Sequence, residues 1–163
     1  MSVRVRPAQA SDHPAISRIS VAAYEADGQL KGENQYATTL ADVASRAAAG
    51  EVYVAVDADD QVLGAVTFVL PGSPYAELSG PGEAEFRMLA VDPVAQGRGV
   101  GEALAQACVR RARELGCAAV VICTRDFAAS AKRLYARLGF VREPDLDWSP
   151  MPGVQLLGLR LAL

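Results

Sequence analysis

The amino-acid sequence predicts a single α/β domain over residues 1–163, and three observations lead to this prediction. Apolar residues make up 51% of the chain and charged residues 21%, which is ordinary usage for a protein that buries a core. Short apolar segments of strand length alternate with segments of helical periodicity. No repeat, low-complexity run or linker interrupts the pattern.

The first half of the chain opens with strand and helix signals and ends in a hairpin. Pro7 ends the first strand, and Ser11 or Asp12 is the expected cap of the helix that follows. Asp57-Ala58-Asp59-Asp60 separates two segments rich in Val. The predicted elements are, in order, a strand (3–6), a helix containing Ala15, Ile16, Ile19 and Ala23, a loop (27–35), an Ala-rich helix (38–49) and a hairpin (51–56 and 61–70).

The second half continues the alternation after a loop rich in Pro and Gly. The segment from Ala118 to Thr124 is nearly all apolar, which is typical of a central strand buried on both faces. The predicted elements are, in order, a loop (71–82), a strand (85–91), a helix with one apolar face (99–115), a strand (118–124), a helix (128–138) and two strands (140–142 and 154–161) around a Pro-rich turn.

Composition excludes several classes of protein. The formal net charge is −3, so we expect no nucleic-acid partner. The N-terminus does not resemble a signal peptide and no run approaches about 18 apolar residues; we therefore expect no membrane partner and a cytoplasmic location. The three cysteines, Cys108, Cys117 and Cys123, form no C-x-x-C pair. They are interpreted as reduced core thiols, and no metal is expected.

The most informative segment is a strand, a glycine-rich turn and a helix N-terminus, from Glu85 to Gly101. The free N–H groups and the dipole of a helix start form an anion site. Alternating glycines let a phosphate approach the backbone, and Arg98 adds a donor. The spacing Gly97-x-Gly99-x-Gly101 fits neither a P-loop nor a dinucleotide fingerprint, and the 62 residues that follow are too few for a dinucleotide fold.

Two motifs give the chain a family resemblance. Gln96-x-x-Gly99-x-Gly101 after Leu89-Ala90-Val91-Asp92-Pro93 resembles the acyl-CoA loop of the GNAT acetyltransferase superfamily. The segment from Ala131 to Phe140, with Tyr135 and a terminal Gly-Phe, resembles the next motif of that family. The order of elements matches as well, over nearly the whole chain. The resemblance implies a mixed, mostly antiparallel central sheet with splayed central strands, flanked by helices.

The resemblance also implies where acetyl-CoA, as co-substrate, binds. The pantetheine arm is expected along the strand before the loop, between it and the strand at 118–124. The backbone of this strand can also polarise the thioester carbonyl. The pyrophosphate is expected on the N–H groups of the loop. The residues implied are Leu89, Ala90 and Val91 for the arm, and Gln96, Gly97, Arg98, Gly99, Val100 and Gly101 for the pyrophosphate.

Catalysis is expected to need an acid and a base. In the family pattern Tyr135 protonates the departing thiolate, although its helical spacing also fits a packed aromatic side chain. At pH 7 the deprotonation of a lysine-like amine costs about 4–5 kcal/mol, so a base helps. Glu85 is the candidate, and Glu83 or an ordered water is the alternative.

The predicted function is therefore transfer of an acetyl group from acetyl-CoA to a primary amine by direct attack in a ternary complex. The acceptor is a small-molecule or peptide amine, and a homodimer is left open. The alternatives are a non-catalytic CoA-binding sensor or interaction domain, and acyl transfer to a hydroxyl or from a longer acyl chain. Two positions depart from the family pattern, Ala128 in place of an Asn and Glu102 after the last glycine of the loop. The carboxylates near the expected acceptor loops weakly suggest a cation: Glu25, Asp27, Glu33, Glu77, Glu83, Asp145 and Asp147.

Overall fold

A computed structural model describes residues 2–30 and 34–163, and these residues form eight strands and five helices. The strands are β1 (Arg4–Pro7), β2 (Glu51–Val56), β3 (Val62–Val69), β4 (Glu83–Val91), β5 (Ala119–Arg125), β6 (Val141–Arg142), β7 (Trp148–Met151) and β8 (Val154–Ala162). The helices are α1 (His13–Ala26), α2 (Asn34–Ala41), α3 (Val43–Ala49), α4 (Val100–Glu114) and α5 (Ala129–Arg137). Short 3-10 turns at Ala10–Asp12, Pro93–Ala95 and Pro144–Leu146 precede α1, α4 and β7.

All eight strands belong to one sheet, in the order β1-β2-β3-β4-β5-β8-β6, and β7 pairs with β8 as well. Only β4 and β5 run parallel; the other described pairs are antiparallel. A parallel pair needs a long crossover, and α4 supplies it here. The predicted mixed, mostly antiparallel sheet with flanking helices is confirmed.

Helices cover both faces of the sheet. On one face α4 buries Leu104, Ala105 and Cys108 in a core that also holds Phe68 from β3. On the other face Ile16 of α1 and residues of α3 pack against β2 and β3. Because both faces are covered, β3 is buried along nearly its whole length, which explains its almost unbroken apolar sequence.

The predicted helix over 38–49 is two helices that meet at Asp42. The Asp42 side chain accepts a hydrogen bond from the Ser45 N–H (3.2 Å) and so caps α3. Arg46 is 1% exposed and donates to the Leu40 carbonyl (2.8 Å) at the end of α2. α2 also begins at Asn34, inside the predicted loop, while residues 31–33 of that loop lie outside the described residues.

Two smaller differences are also local. Asp12 occupies the N-cap position of α1, but its carboxylate accepts from the Gln9 N–H (2.8 Å) and pairs with Arg6 (2.8 Å) instead of capping that helix. The predicted Pro-rich turn contains an additional strand, β7, which pairs with β8. Within residues 2–30 and 34–163 no helix has the length and apolar character needed to cross a membrane.

Candidate active site

The central sheet opens between β4 and β5. These strands pair only from Glu83 to Glu85, opposite Ala119 to Val121. β5 then continues along β8 as far as Arg125, so beyond Glu85 the edge of β4 that faces β5 has no partner strand among the described residues. The splayed central strands expected from the sequence are present.

A bulge marks the same part of β4. Ala65 of β3 pairs with Ala90 and Thr67 pairs with Arg87, so Met88 and Leu89 together oppose Val66. Met88 has φ = 56°, a conformation that is uncommon for a residue other than glycine. Bulges redirect the backbone and are over-represented beside active sites. Here the bulge turns the unpaired edge of β4 at the point where the sheet opens.

A cavity of about 670 Å³ lies at this opening. It is lined by the bulge, by β5 and α5, by α1 and α2, and by the segment around β7. Its polar side chains include two carboxylates, two guanidinium groups and three tyrosines. The lining residues are Tyr24, Asp27, Gln29, Gln35, Tyr36, Thr39, Glu77, Phe86, Arg87, Met88, Leu89, Ile122, Cys123, Thr124, Arg125, Ala128, Ala131, Tyr135, Pro150, Met151, Val154 and Leu156.

The glycine-rich turn leads into α4 with an exposed backbone. Gly97 and Gly99 have φ of 80° and 77°, and no atom lies within 4 Å of the position that a Cβ would take at either residue. Gly99 is the N-cap of α4, and its carbonyl accepts the first helical bond from the Ala103 N–H (3.0 Å). The N–H groups of the first turn have no acceptor within the helix. The geometry is therefore that of an anion site.

The other predicted cofactor residues differ in exposure. Gln96 and Arg98 are exposed, whereas Val100 is buried in the core. Gly101 lies inside α4, and a Cβ there would approach Leu134 Cδ2 at 3.4 Å. Gly101 therefore lies where α4 packs against α5, and its N–H belongs to the first turn of α4, so its predicted contact with the pyrophosphate stays a prediction.

The strand residues predicted for the pantetheine arm lie at the opening. Leu89 lines the cavity and is half-buried, like Val91, whereas Ala90 is buried and pairs with Ala65. The geometry thus places Leu89 and Val91 on one face of β4 at the opening, and Ala90 on the opposite face.

Tyr135 lies on α5 and lines the cavity, although it is only 6% exposed. Its ring packs against Phe86 (5.9 Å between centroids) and Phe140 (5.7 Å). It is thus both a packed aromatic residue and a residue of the candidate site. Burial raises the pKa of the Tyr135 hydroxyl, so this group stays protonated at neutral pH.

The structure does not bring Glu85 to the cavity. Glu85 is fully buried, and its carboxylate accepts hydrogen bonds from the backbone N–H groups of Glu77, Leu78 and Ser79 at 3.0–3.1 Å. Glu83 accepts from the Gly80 N–H (2.8 Å) and contacts Arg160 (3.5 Å). Neither carboxylate lines the cavity, because both hold the preceding loop in place, so the base role expected of Glu85 or Glu83 stays a prediction.

A different pair of charged side chains lies in the cavity. Arg87 Nε is 3.0 Å from Glu77 Oε1, and the side chains are 15% and 21% exposed. Burial raises the pKa of Glu77 above its usual value. Cys123 Sγ lies 3.9 Å from the same carboxylate oxygen, and burial raises the pKa of this thiol to about 12. Cys123 therefore lines the cavity as a protonated thiol, whereas the sequence suggested a core position.

Sequence reasoning singled out neither Arg87 nor the tyrosines of α1 and α2. Arg87 is a charged residue inside a strand that is otherwise largely buried, and this was the available signal. Tyr24 and Tyr36 are more than ten residues apart in the chain, and only the packing of α1 against α2 brings their rings to 5.8 Å. No local pattern reveals such a contact.

The two departures from the family pattern have identifiable positions. Ala128 lines the cavity, so an amide that an Asn would supply there is missing. Glu102 lies in the first turn of α4, where a carboxylate is favoured by the helix dipole, and it is 3.6 Å from Arg137 of α5. No cluster of potential metal ligands occurs among the described residues.

Comparisons with known proteins identify the family. Residues 14–140 match the model of the "Acetyltransferase (GNAT) family". A mycothiol acetyltransferase from Cellulomonas flavigena is 36% identical over 104 residues, which are 61% of this chain and 30% of that protein. The chain thus spans about 30% of the length of this curated relative.

Solved structures show the same fold. A GNAT-family acetyltransferase from Staphylococcus aureus superposes with a TM-score of 0.77 at 13% identity and covers 99% of both chains. A GCN5-related N-acetyltransferase from Kribbella flavida is 29% identical, with a TM-score of 0.65 and coverage of 99% and 98%. The sheet that opens beside Tyr135, the exposed turn before α4 and the match over residues 14–140 lead to one conclusion: this chain belongs to the GNAT acetyltransferase family.

Proposed function

We propose that this acetyltransferase moves an acetyl group from acetyl-CoA to a primary amine by direct attack in a ternary complex. The observation that carries the proposal is the opening of the sheet between β4 and β5, beside a cavity that Leu89 and Tyr135 line. An extended acyl donor can lie in such an opening between two strands, and the cavity gives an acceptor room next to the acyl end of the donor.

The residues at the donor end fit acetyl-CoA. The unpaired edge of β4 offers backbone N–H and C=O groups to an extended arm. The first turn of α4 offers N–H groups to a pyrophosphate, and Arg98 is exposed beside them. The donor supplies an acyl group activated as a thioester. A backbone N–H near Leu89, turned by the bulge, is suited to polarise its carbonyl.

At the acceptor end one proton has to leave the amine and another has to reach the sulfur of the leaving thiolate. The amine attacks only when it is neutral, and Glu77, whose pKa is raised by burial, is a better placed base than Glu85 because it lines the cavity. A water molecule bound to Glu77 would serve the same purpose. The protonated Tyr135 hydroxyl can donate to the sulfur of the leaving thiolate.

The mycothiol acetyltransferases support acetyl transfer as the reaction, but they do not identify the acceptor of this chain, which corresponds to only 30% of their length. Transfer to a hydroxyl, a longer acyl donor and a CoA-binding protein without catalysis are the competing outcomes of the test.

The test is thiol release from acetyl-CoA in the presence of primary amines and matched alcohols, together with calorimetric titration of acetyl-CoA. We expect binding, and turnover only with amines. Tyr135→Phe should bind acetyl-CoA and turn over slowly, whereas Tyr53→Phe, at a tyrosine outside the cavity, should behave as the wild type. Binding without turnover on any acceptor would identify a sensor, and absence of binding would overturn the proposal.

A further inference from the structure

The cavity of this protein contains charges of both signs. Asp27 and Glu77 line it together with Arg87 and Arg125. A pocket for a simple cationic amine would be acidic, because each guanidinium group repels an ammonium group. The mixed lining therefore argues against a polyamine or a lysine side chain as the acceptor.

The Arg87–Glu77 pair presents complementary groups within one ion pair. Arg87 Nε lies 3.0 Å from Glu77 Oε1 in the ion pair, and Arg87 Nη1 donates to the Tyr75 carbonyl (3.0 Å). A guanidinium group has five N–H donors, so these two contacts leave it able to hold a carboxylate as well. Glu77 in turn can accept from an ammonium group. Both side chains are mostly shielded from water, which strengthens such contacts.

The pair is also close to the point of reaction. Arg87 directly precedes Met88 and the bulge, and Leu89 lies two residues further on. At about 3.3 Å per residue, the Cα of Arg87 is within about 7 Å of the Leu89 backbone, which is suited to polarise the acetyl carbonyl. Because Arg87 and Leu89 line the same cavity, an acceptor whose anionic group binds Arg87 can present a nitrogen next to that group at the reaction point.

The remaining walls are apolar and aromatic. The rings of Tyr24 and Tyr36 lie 5.8 Å apart, and Met151 and Leu156 line the cavity as well. Aromatic and aliphatic surfaces of this kind favour an apolar substituent.

We infer that the acceptor is a zwitterionic α-amino acid with an apolar or aromatic side chain, its carboxylate held by Arg87 and its amino group by Glu77. The inference rests on the proposed function and names its substrate class. A single carbon separates the carboxylate from the amino group in such an acceptor. Its two charges are therefore as close together as the opposite charges of Arg87 and Glu77. The apolar substituent lies against Tyr24 and Tyr36.

The chemistry balances with the groups present. The ammonium group loses one proton to Glu77 or to water and a second as the amide forms, and its nitrogen makes the new bond to the acetyl carbon. The carbon–sulfur bond breaks, and the sulfur keeps the electron pair and takes a proton from Tyr135. Tyr135 is then reprotonated, so each turnover releases one proton to solvent.

The test compares amino acids with their decarboxylated amines: L-phenylalanine with phenethylamine, L-leucine with 3-methylbutylamine, and L-phenylalaninamide as a neutral analogue. We expect kcat/KM at least about tenfold higher for an amino acid than for its amine, with the difference mostly in KM. A carboxylate contact that is present both in the bound substrate and in the transition state stabilises the two equally, and so it lowers KM without raising kcat. Calorimetric titration of the CoA-loaded protein should show the same order of affinity.

Variants then locate the contact. Arg87→Gln should reduce the preference for the carboxylate to less than about threefold, which is half a power of ten, or about 0.7 kcal/mol. Glu77→Gln/Arg87→Gln leaves no unpaired charge in case the single variant folds poorly, and it should show the same loss. Arg111→Gln removes a guanidinium group that pairs with Glu51 outside the cavity, and it should keep the wild-type preference.

A wrong acceptor and a wrong reaction give different experimental results. If amines are acetylated equally with and without the carboxylate, or if Arg87→Gln keeps the preference, the zwitterionic acceptor is wrong and the acetyltransferase remains. If no acceptor is acetylated, the proposed function fails. Calorimetry still decides the inference in that case, because an amino acid that binds only when Arg87 is present supports it and absence of binding overturns it.

Discussion

The two halves of β4 differ in a way that locates the chemistry. From Glu83 to Glu85 the strand has a partner on the β5 side, and both carboxylates are occupied by the loop at 77–80. From Arg87 to Val91 the strand faces the opening of the sheet and contains the bulge, and Arg87, Met88 and Leu89 line the cavity. A carboxylate where the sheet is closed holds the backbone, whereas a charged group where the sheet is open is available to a substrate.

The largest expected effect tests the open side. Tyr135→Phe removes a hydroxyl and keeps the ring that packs on Phe86 and Phe140. Because general acid help is worth about 10²–10⁴ in rate, kcat should fall by a factor in that range, with little change in acetyl-CoA affinity or Tm. Steady-state kinetics with calorimetry and thermal melts measures this. A kcat within a factor of two of wild type would make Tyr135 a core residue only.

Glu77→Gln and Glu85→Gln contrast the two carboxylates directly. If Glu77 is the base, kcat/KM of the wild type rises with pH as this group deprotonates, through a pKa raised by burial. Glu77→Gln should lower kcat/KM at neutral pH by about tenfold or more and move activity to higher pH, where the amine is already neutral.

Glu85→Gln should act on stability instead. An amide cannot accept all the hydrogen bonds that the Glu85 carboxylate takes from residues 77–79. We expect a loss of about 1–3 kcal/mol in the free energy of unfolding, with the shape of the pH–rate profile unchanged. Chemical denaturation and pH–rate profiles separate the two variants. If Glu85→Gln shifts the pH–rate profile and Glu77→Gln does not, the roles assigned to the two carboxylates are wrong.

Gly99→Val should weaken acetyl-CoA binding by about tenfold, since its side chain would enter the open space beside the first turn of α4, and a left-handed φ costs an L residue about 1–2 kcal/mol. Gly101→Val should mainly lower Tm, because its Cβ would already be in contact with Leu134 and Val91, and the two γ-methyl groups beyond it need further room. Titration and melting of both variants measure this. If both variants lose the same affinity for acetyl-CoA, Gly101 lies against the phosphate as well.

The smallest effect concerns the ion pair between Asp147 and Arg142, just before β7. Asp147 pairs with Arg142 (2.8 Å) and accepts from the Gly158 N–H (2.7 Å), and the Arg142 contact lowers the pKa of Asp147 to about 2. A lowered pKa stabilises the fold above the unfolded value of about 3.9, and this contribution disappears as the pH falls toward about 2. Asp147→Asn should therefore flatten the stability profile between these values, as measured by denaturation at each pH. A stability profile identical to that of the wild type would show that the Asp147–Arg142 pair does not stabilise the fold.

The pattern of apolar residues was sufficient for most of the fold. β2 was predicted with its observed bounds, and α4 and β5 within one residue at each end. Each of these elements has either a clear hydrophobic periodicity or turn-forming residues at its ends. The break at Asp42 was missed, since an Ala-rich segment has no local reason to end there. The break depends on the buried Arg46, which binds the end of α2. β7 was missed because its pairing with β8 outweighs the local preference of a Pro-containing segment.

For the site, the sequence by itself determined the exposed glycine turn before α4 and the position of Tyr135 on α5, because both depend on residues that are adjacent in one turn and one helix. Only the tertiary structure decided which carboxylate faces the cavity. Glu83, Glu85 and Arg87 alternate onto one side of β4, yet the loop at 77–80 covers the first two and leaves the third at the opening. Glu77 reaches Arg87 from that loop. Contacts between segments so far apart depend on how the chain packs, and no local spacing encodes them.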